Sequence, residues 1–401
     1  MSKIFILVDA LRNDYINKKN MPFLYYLSQN NLYINRIKPS LGFCERSEII
    51  SGYNSEQTGY FTAIGKDMKK SDYKDLSMSI SKLLEIINIY FNKIPTFKFL
   101  GKRINFSKLF KKILNRILKK KYSSKMSIYN IPINQLNNFY LTEDEYDHFS
   151  DNFVNENNLI MKIKRKGMDI NNEAWTYLGK SNQMSDDETM NFLISKNIKS
   201  SNEFIFAYLG TLDAVGHKYG PKSKKMVESL SYIDSFFEKL ISMNDNNDII
   251  ILGDHGMKTI NKFLNVSDEI HEIQQKFNLK INHNFNFFVD STMLRLWVDN
   301  DQKIDVIDFI NSNKTLNKYG KIIHQKHSSK VYGNVVWLAN EGVMLYPDFF
   351  HFEKPVGMHG YDNQLKNSQG TAIIYKKDTS NSYIKSLNLC DFNNLIMETL
   401  F

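Results

Sequence analysis

Apolar residues recur along this chain in short unbroken runs that stop at acids. Residues 4–8 read Ile-Phe-Ile-Leu-Val and end at Asp9, and residues 249–252 read Ile-Ile-Ile-Leu and give way to Gly253 and Asp254. Residues 204–209 form a third run, with Asp213 just beyond it. A stretch that is apolar at every position, rather than at every second one, is what a strand buried on both faces requires. Helical periodicity fills the gaps: 21–29 after Asn20, a helix ending near Ser51-Gly52, a long helix from about 222 to 243, and a closing helix over 391–400. Further strands are expected at 33–37 and 371–375. Strands alternating with helices predict an α/β fold with a mainly parallel sheet covered by helices on both faces. Residues 66–200 lack that rhythm and are expected to form an inserted cap. Residues 258–345, with strand-like pieces at 287–290, 293–298 and 335–338, suggest a second, smaller insertion. The core is then 1–65 and 201–401, the latter carrying the smaller insertion. No internal repeat or low-complexity linker interrupts it.

In sheets of this kind ligands bind beyond the carboxyl ends of the strands. Asp9, Asp213 and Asp254 each lie at or just past such an end, so one edge of the sheet should gather all three. Histidines accompany them in Asp213-Ala-Val-Gly-His217, Asp254-His255-Gly256 and His359-Gly-Tyr-Asp-Asn363. Gly216 is expected to allow a tight turn between Asp213 and His217. Three Asp and three His are the ligand count of two ions with three protein ligands each, and a pair of ions about 3.5–4 Å apart can clamp a phosphoryl group for in-line displacement. His148, His271, His283, His324, His327 and His351 have no comparable setting and read as surface or packing residues.

Composition narrows the class. With 42% apolar and 24% charged residues over 401 positions the chain is globular, and no apolar run reaches the ~18 residues of a membrane span. Only Cys44 and Cys390 are present, which excludes a disulfide framework. With Met1 running straight into a strand and no leader pattern, a reducing, cytoplasmic location is expected. The net charge of +9 is local: residues 98–125 hold eleven Lys or Arg and no acid, so the remainder carries 9 − 11 = −2. Within that segment Phe106, Leu109, Phe110, Ile113, Leu114, Ile117 and Leu118 recur at helical spacing among lysines. The amphipathic helix over 106–121 reads either as a cap helix packed on the protein or as peripheral contact with an anionic membrane. No nucleic acid is expected, because aromatic residues are not interleaved with the charges.

The three His-containing motifs, extended to Asp213-Ala-Val-Gly-His-Lys-Tyr-Gly-Pro221 and Ile250-Ile-Leu-Gly-Asp-His-Gly-Met257, resemble the metal motifs of the type I phosphodiesterase / nucleotide pyrophosphatase family of the alkaline phosphatase superfamily. Val8-Asp-Ala-Leu-Arg-Asn-Asp14 resembles that family's opening strand. The resemblance implies an alkaline-phosphatase-like α/β sandwich and two zinc ions, with manganese the alternative. By motif position Asp213, His217 and His359 would hold one ion, and Asp9, Asp254 and His255 the other. The chain departs from the family at the nucleophile, where the usual Thr or Ser falls on Gly42. Ser40 and Cys44 are the nearest candidates, and a helix N-terminus beside Cys44 would lower its thiol pKa. Arg46 could pair with a phosphate oxygen. Direct attack by hydroxide held at the metal is a third route. A family Asn that steadies the phosphate is also missing from Gly59-Tyr-Phe-Thr-Ala63.

The expected function is a two-metal phosphodiesterase or phosphohydrolase, or a phosphotransferase, acting on a phosphoester that the membrane reading would make lipid- or glycan-linked. A phosphonate hydrolase, a phosphomonoesterase and a catalytically silent binder of phosphorylated ligands are the alternatives. Substrate identity, acceptor and oligomeric state are not written in these motifs.

Overall fold

The computed structural model describes residues 2–94, 97–99, 102–104, 106–124, 126, 130–145, 147–176, 183–198, 202–323, 329–377 and 380–401. His324, His327, Lys125 and the side chains of Lys98, Lys102 and Arg103 lie outside them. The chain divides into two compact units, one of Met1–Phe61, Tyr146–Asn261 and Pro355–Phe401, the other of Thr62–Glu145 and Lys262–Lys354.

The first unit is built on eight strands: β1 (Lys3–Val8), β2 (Leu32–Lys38), β3 (Asp169–Ala174), β4 (Glu203–Leu209), β5 (Asp248–Leu252), β6 (Gly370–Tyr375), β7 (Ser382–Ile384) and β8 (Leu387–Asn388). Their order is β7-β2-β6-β5-β1-β4-β3, with β8 also on β2. β1 runs parallel to both β4 and β5, and β3 runs parallel to β4; β6 alone is antiparallel to its neighbours. Side chains alternate across the sheet. Ile4, Ile6 and Val8 enter one apolar core, Phe5 and Leu7 the other, and the pattern repeats in β4 and β5. Both faces are therefore covered. On the first lie α1 (Pro22–Asn30) and the 20-residue α4 (Lys224–Met243); on the second lie α2 (Glu45–Ser51) and α5 (Phe392–Leu400). A further helix, α3 (Thr211–Tyr219), follows β4 directly.

Residues 147–176 and 183–198, assigned above to the insertion, differ from that expectation by folding with this sheet. β3 supplies its last strand, and Asp186 accepts hydrogen bonds from the backbone amides of Gly210 (3.0 Å) and Thr211 (2.8 Å), capping the start of α3. An acid at that end of a helix satisfies otherwise unpaired amides and complements the dipole.

The second unit joins residues 62–145 with 262–354. It contains a four-stranded antiparallel sheet of Phe285–Asp290, Met293–Val298, Val335–Ala339 and Gly320–Ile323, and helices Met78–Lys93 and Phe106–Tyr122. The two helices meet through Phe91 and Phe110, whose rings are 5.2 Å apart, and through a 2.9 Å hydrogen bond from Ser107 Oγ to Asn88 Oδ1. Leu114 and Leu118 are buried, but Leu109, Ile113 and Ile117 remain exposed. The amphipathic helix thus packs one apolar row and presents another. No helix among the described residues is long and apolar enough to cross a membrane.

Candidate metal centre

Parallel strands in register deliver their C-terminal residues to one edge. Val8 of β1 is paired with Leu209 of β4, and Leu7 with Leu252 of β5, so the residues that follow converge. Asp9 comes first after β1, its amide bonded to Leu209 O at 2.9 Å. Ala10 then adopts a left-handed φ of 61°, and its amide donates to Asp254 Oδ1 at 3.3 Å.

Two three-residue groups form there. Ligand atoms of Asp9, Asp254 and His255 lie within 4.8 Å of one another, and so do those of Asp213, His217 and His359. Asp213 and His217 are joined by helix α3 rather than by the expected tight turn. One helical turn places both side chains on the same face, with Nε2 of His217 3.2 Å from Asp213 Oδ1. Gly216 serves packing instead: a Cβ there would meet Met257 at 3.0 Å. His359 follows the short strand Gly357–Met358, which pairs with Lys258–Thr259 just after the Asp254-His255 turn.

Backbone carbonyls orient two of the imidazoles. Nδ1 of His255 lies 2.8 Å from Gly256 O, and Nδ1 of His217 lies 2.9 Å from Gly357 O. With the proton on Nδ1, the Nε2 lone pair is the one turned to a metal, and the carbonyl is the usual outer support of such a histidine. Those Nε2 atoms face Asp9 Oδ1 at 3.0 Å and Asp213 Oδ1 at 3.2 Å. Both carboxylate oxygens are buried and accept no well-formed hydrogen bond. Buried acceptors are normally satisfied, so these lone pairs fit a cation. Imidazole with carboxylate suits zinc or manganese.

Electrostatics reinforce the pattern. Burial alone would raise the Asp9 carboxyl, but an opposing pull led by the charge of His255 holds Asp9 below its ordinary value. Burial pushes Asp254 up to about 6 against the opposing pull of His255. Burial likewise disfavours the His255 imidazolium, yet Asp254 and Asp9 raise it well above the usual histidine range. His217 is raised by Asp213 against the same burial penalty.

The candidate nucleophiles stand apart. Cys44 belongs to neither group; its Sγ lies 3.8 Å from Glu48 Oε1 and 3.9 Å from Leu41 O. The lowered thiol pKa expected from its place at the start of α2 is not what the structure gives. Burial, followed by the charges of Glu48 and Glu45, pushes Cys44 well above the ordinary value. Ser40 accepts a 3.3 Å hydrogen bond from the Ser55 amide and supports the loop. Arg46 does face the site, its guanidinium 4.9 Å from the Tyr208 ring and its charge felt by Asp9 and Asp254. Gly42 admits no side chain: its φ is +105°, and a Cβ would stand 2.1 Å from Phe61 O.

Sequence reasoning passed over two residues. Tyr208 donates its hydroxyl to Asp9 Oδ2; its place near the end of β4, level with the ligands, was the available signal. Glu45 brings its carboxylate within 4.8 Å of His255 and His359. It sits between Cys44 and Arg46, both of which drew attention.

The sequence model described as type I phosphodiesterase / nucleotide pyrophosphatase matches residues 3–362. Murine ectonucleotide pyrophosphatase / phosphodiesterase 5 superposes with a TM-score of 0.63 at 15% identity, covering 99% of this chain and 94% of that one. The human protein of that name gives 0.63 at 14% identity, so these structures share the alkaline-phosphatase-like fold with this chain. Among curated proteins, GPI ethanolamine phosphate transferase 2 of Yarrowia lipolytica is 46% identical over 57 residues, 14% of this chain and 6% of that protein. Ectonucleotide pyrophosphatase/phosphodiesterase family member 7 of Mus musculus is 28% identical over 92 residues, 21% of this chain and 20% of that protein. The matched segments thus span from 6% to 20% of these two relatives' lengths.

Proposed function

Because the chain belongs to the type I phosphodiesterase / nucleotide pyrophosphatase family, a metal-dependent one, we propose that its two ligand groups hold two divalent cations, zinc or manganese, and that it cleaves or transfers a phosphodiester. The observation that carries this reading is the pair of groups at one sheet edge, Asp9-Asp254-His255 and Asp213-His217-His359. When bound, the cations supply charge for the phosphoryl oxygens and the leaving group. The chain's own residues do the rest. Gly256 O and Gly357 O fix the imidazoles, Tyr208 holds Asp9, and Arg46 is positioned to pair with a phosphate oxygen. Cys44 and Ser40 are committed to other contacts, so the attacking oxygen comes from water or from an acceptor alcohol. The ethanolamine phosphate transfer named for one relative favours keeping transfer beside hydrolysis. An ester screen tests the reading. Bis-p-nitrophenyl phosphate should turn over faster than the monoester or phosphonoacetate, chelator should stop it, and zinc or manganese should restore it. Turnover indifferent to chelator sinks the metal mechanism, and stoichiometric metal with no turnover of any ester points to a silent binder.

A membrane surface is the second element of this reading. Helix Phe106–Tyr122 exposes Leu109, Ile113 and Ile117 beside Lys112, Arg116, Lys120 and Lys121, and helix Met78–Lys93 exposes Ile80, Leu83, Ile86 and Tyr90. An exposed apolar row flanked by cations fits the interface of an anionic bilayer, and would bring a lipid-linked phosphodiester to the enzyme. Sedimentation with phosphatidylserine vesicles should exceed that with phosphatidylcholine, and fall when Ile113 and Ile117 are changed to Ser. Equal partitioning to both vesicles would rule it out.

A further inference from the structure

One carboxylate lies against both ligand groups without belonging to either. Glu45 Oε, a ring nitrogen of His255 and a ring nitrogen of His359 all fall within 4.8 Å of one another. The two imidazoles come from different groups, yet they stack almost parallel, with centroids 3.9 Å apart and planes 5° from coplanar. A side chain that reaches both rings therefore reaches both places where a cation would sit.

The local structure explains why it is Glu45 that arrives there. The loop before α2 turns at Gly42, and Phe43 packs its edge on His359 with centroids 5.3 Å apart. Asn363 Nδ2 donates to Pro39 O at 2.9 Å, tying the same loop to the His359 segment. Cys44 is the N-cap, which makes Glu45 the first residue of the helix. Glu48, the other acid of that helix, is engaged elsewhere, accepting from the Ser40 amide at 3.1 Å. Glu45 is left facing the stacked rings.

Charge balance argues the same way. Two dications with Arg46 beside them outweigh Asp9, Asp213 and Asp254 in a buried setting, and a further carboxylate reduces that excess. An ionised carboxylate offers two oxygens with about four lone-pair sites, enough to serve two cations at once. We propose that Glu45 is a shared ligand of both cations. This inference rests on the two-cation reading above.

The test reads metal binding rather than turnover. Chelator-stripped protein is titrated with zinc by calorimetry, and the cobalt-loaded form is followed by its visible d–d bands. Wild type should bind two equivalents. Glu45→Gln, shown by circular dichroism to be folded, should lose at least roughly 10- to 100-fold in affinity at one or both sites, since that is the scale for groups that only support a metal ligand, and its cobalt bands should shift. Glu45→Asp, which keeps the charge but withdraws it by one methylene, should fall between the two and serves if the Gln variant misfolds. Two equivalents bound to Glu45→Gln with unchanged affinity and cobalt spectrum overturn this proposal alone. Fewer than two equivalents bound to wild type overturn the two-cation reading and this proposal with it.

Discussion

Changing Asp254 and His255 together to Ala is expected to lower phosphodiester turnover by about 10³-fold or more, the scale on which removal of key electrostatic groups acts, while the sheet still folds. Both residues lie past the end of β5, so their loss removes ligands without opening either apolar core. One zinc equivalent should vanish with the activity, and a double variant with wild-type turnover would refute the mechanism. pH dependence follows from the same pair. His255 is raised well above 6.5 by Asp254 and Asp9 against burial, so its proton must leave before Nε2 can coordinate. Zinc affinity should therefore rise with pH until that raised value is passed. In the metal-free protein the sign reverses. A histidine raised on folding contributes stability that is complete below its ordinary value and is lost as pH climbs through the folded one. The metal-free melting temperature should fall across that upper window, and the double variant should lack this fall.

Arg295→Ala is expected to destabilise the second unit by about 3–5 kcal/mol, the cost of leaving a buried charge without its partner. Arg295 is fully buried, with Nε 3.0 Å from Asp290 Oδ2, a 2.8 Å hydrogen bond from Nη1 to Ile64 O, and its guanidinium 4.6 Å from the Phe288 ring. Asp290 has one further support, the Thr62 hydroxyl at 3.1 Å. Burial already pulls Arg295 below its ordinary pKa and pushes Asp290 above its own, so neither charge is comfortable without the other. Urea denaturation followed by tryptophan fluorescence checks this, since Trp297 and Trp337 are buried in the same sheet. Replacing both Arg295 and Asp290 by apolar residues should recover most of the loss. A single variant within about 1 kcal/mol of wild type would contradict the buried-pair account.

What could be read from the sequence followed burial. β1, β4 and β5 are apolar at nearly every position because both faces are covered, and that made their ends, and the six ligands beyond them, visible. β3 reads Asp-Ile-Asn-Asn-Glu-Ala; at the sheet margin it buries only Asn171 and Ala174, so it carries no apolar run, and residues 146–200 were grouped with the insertion. Nothing in the sequence marks Asp186, because only the fold brings it to the start of α3. The thiol argument for Cys44 failed on magnitude: a helix terminus favours the thiolate modestly, while burial beside Glu48 and Glu45 opposes it more strongly. Glu45 was missed because a charged residue on a short helix ordinarily faces water.

The turn at Gly42 has an engineering consequence. Installing a serine or threonine there to create a covalent phosphoryl intermediate would require the backbone to swing away from Phe61 O and abandon the hydrogen bond that the Phe43 amide makes to it. Redesign of the reaction is accordingly better begun at position 45, whose carboxylate already reaches the rings of His255 and His359.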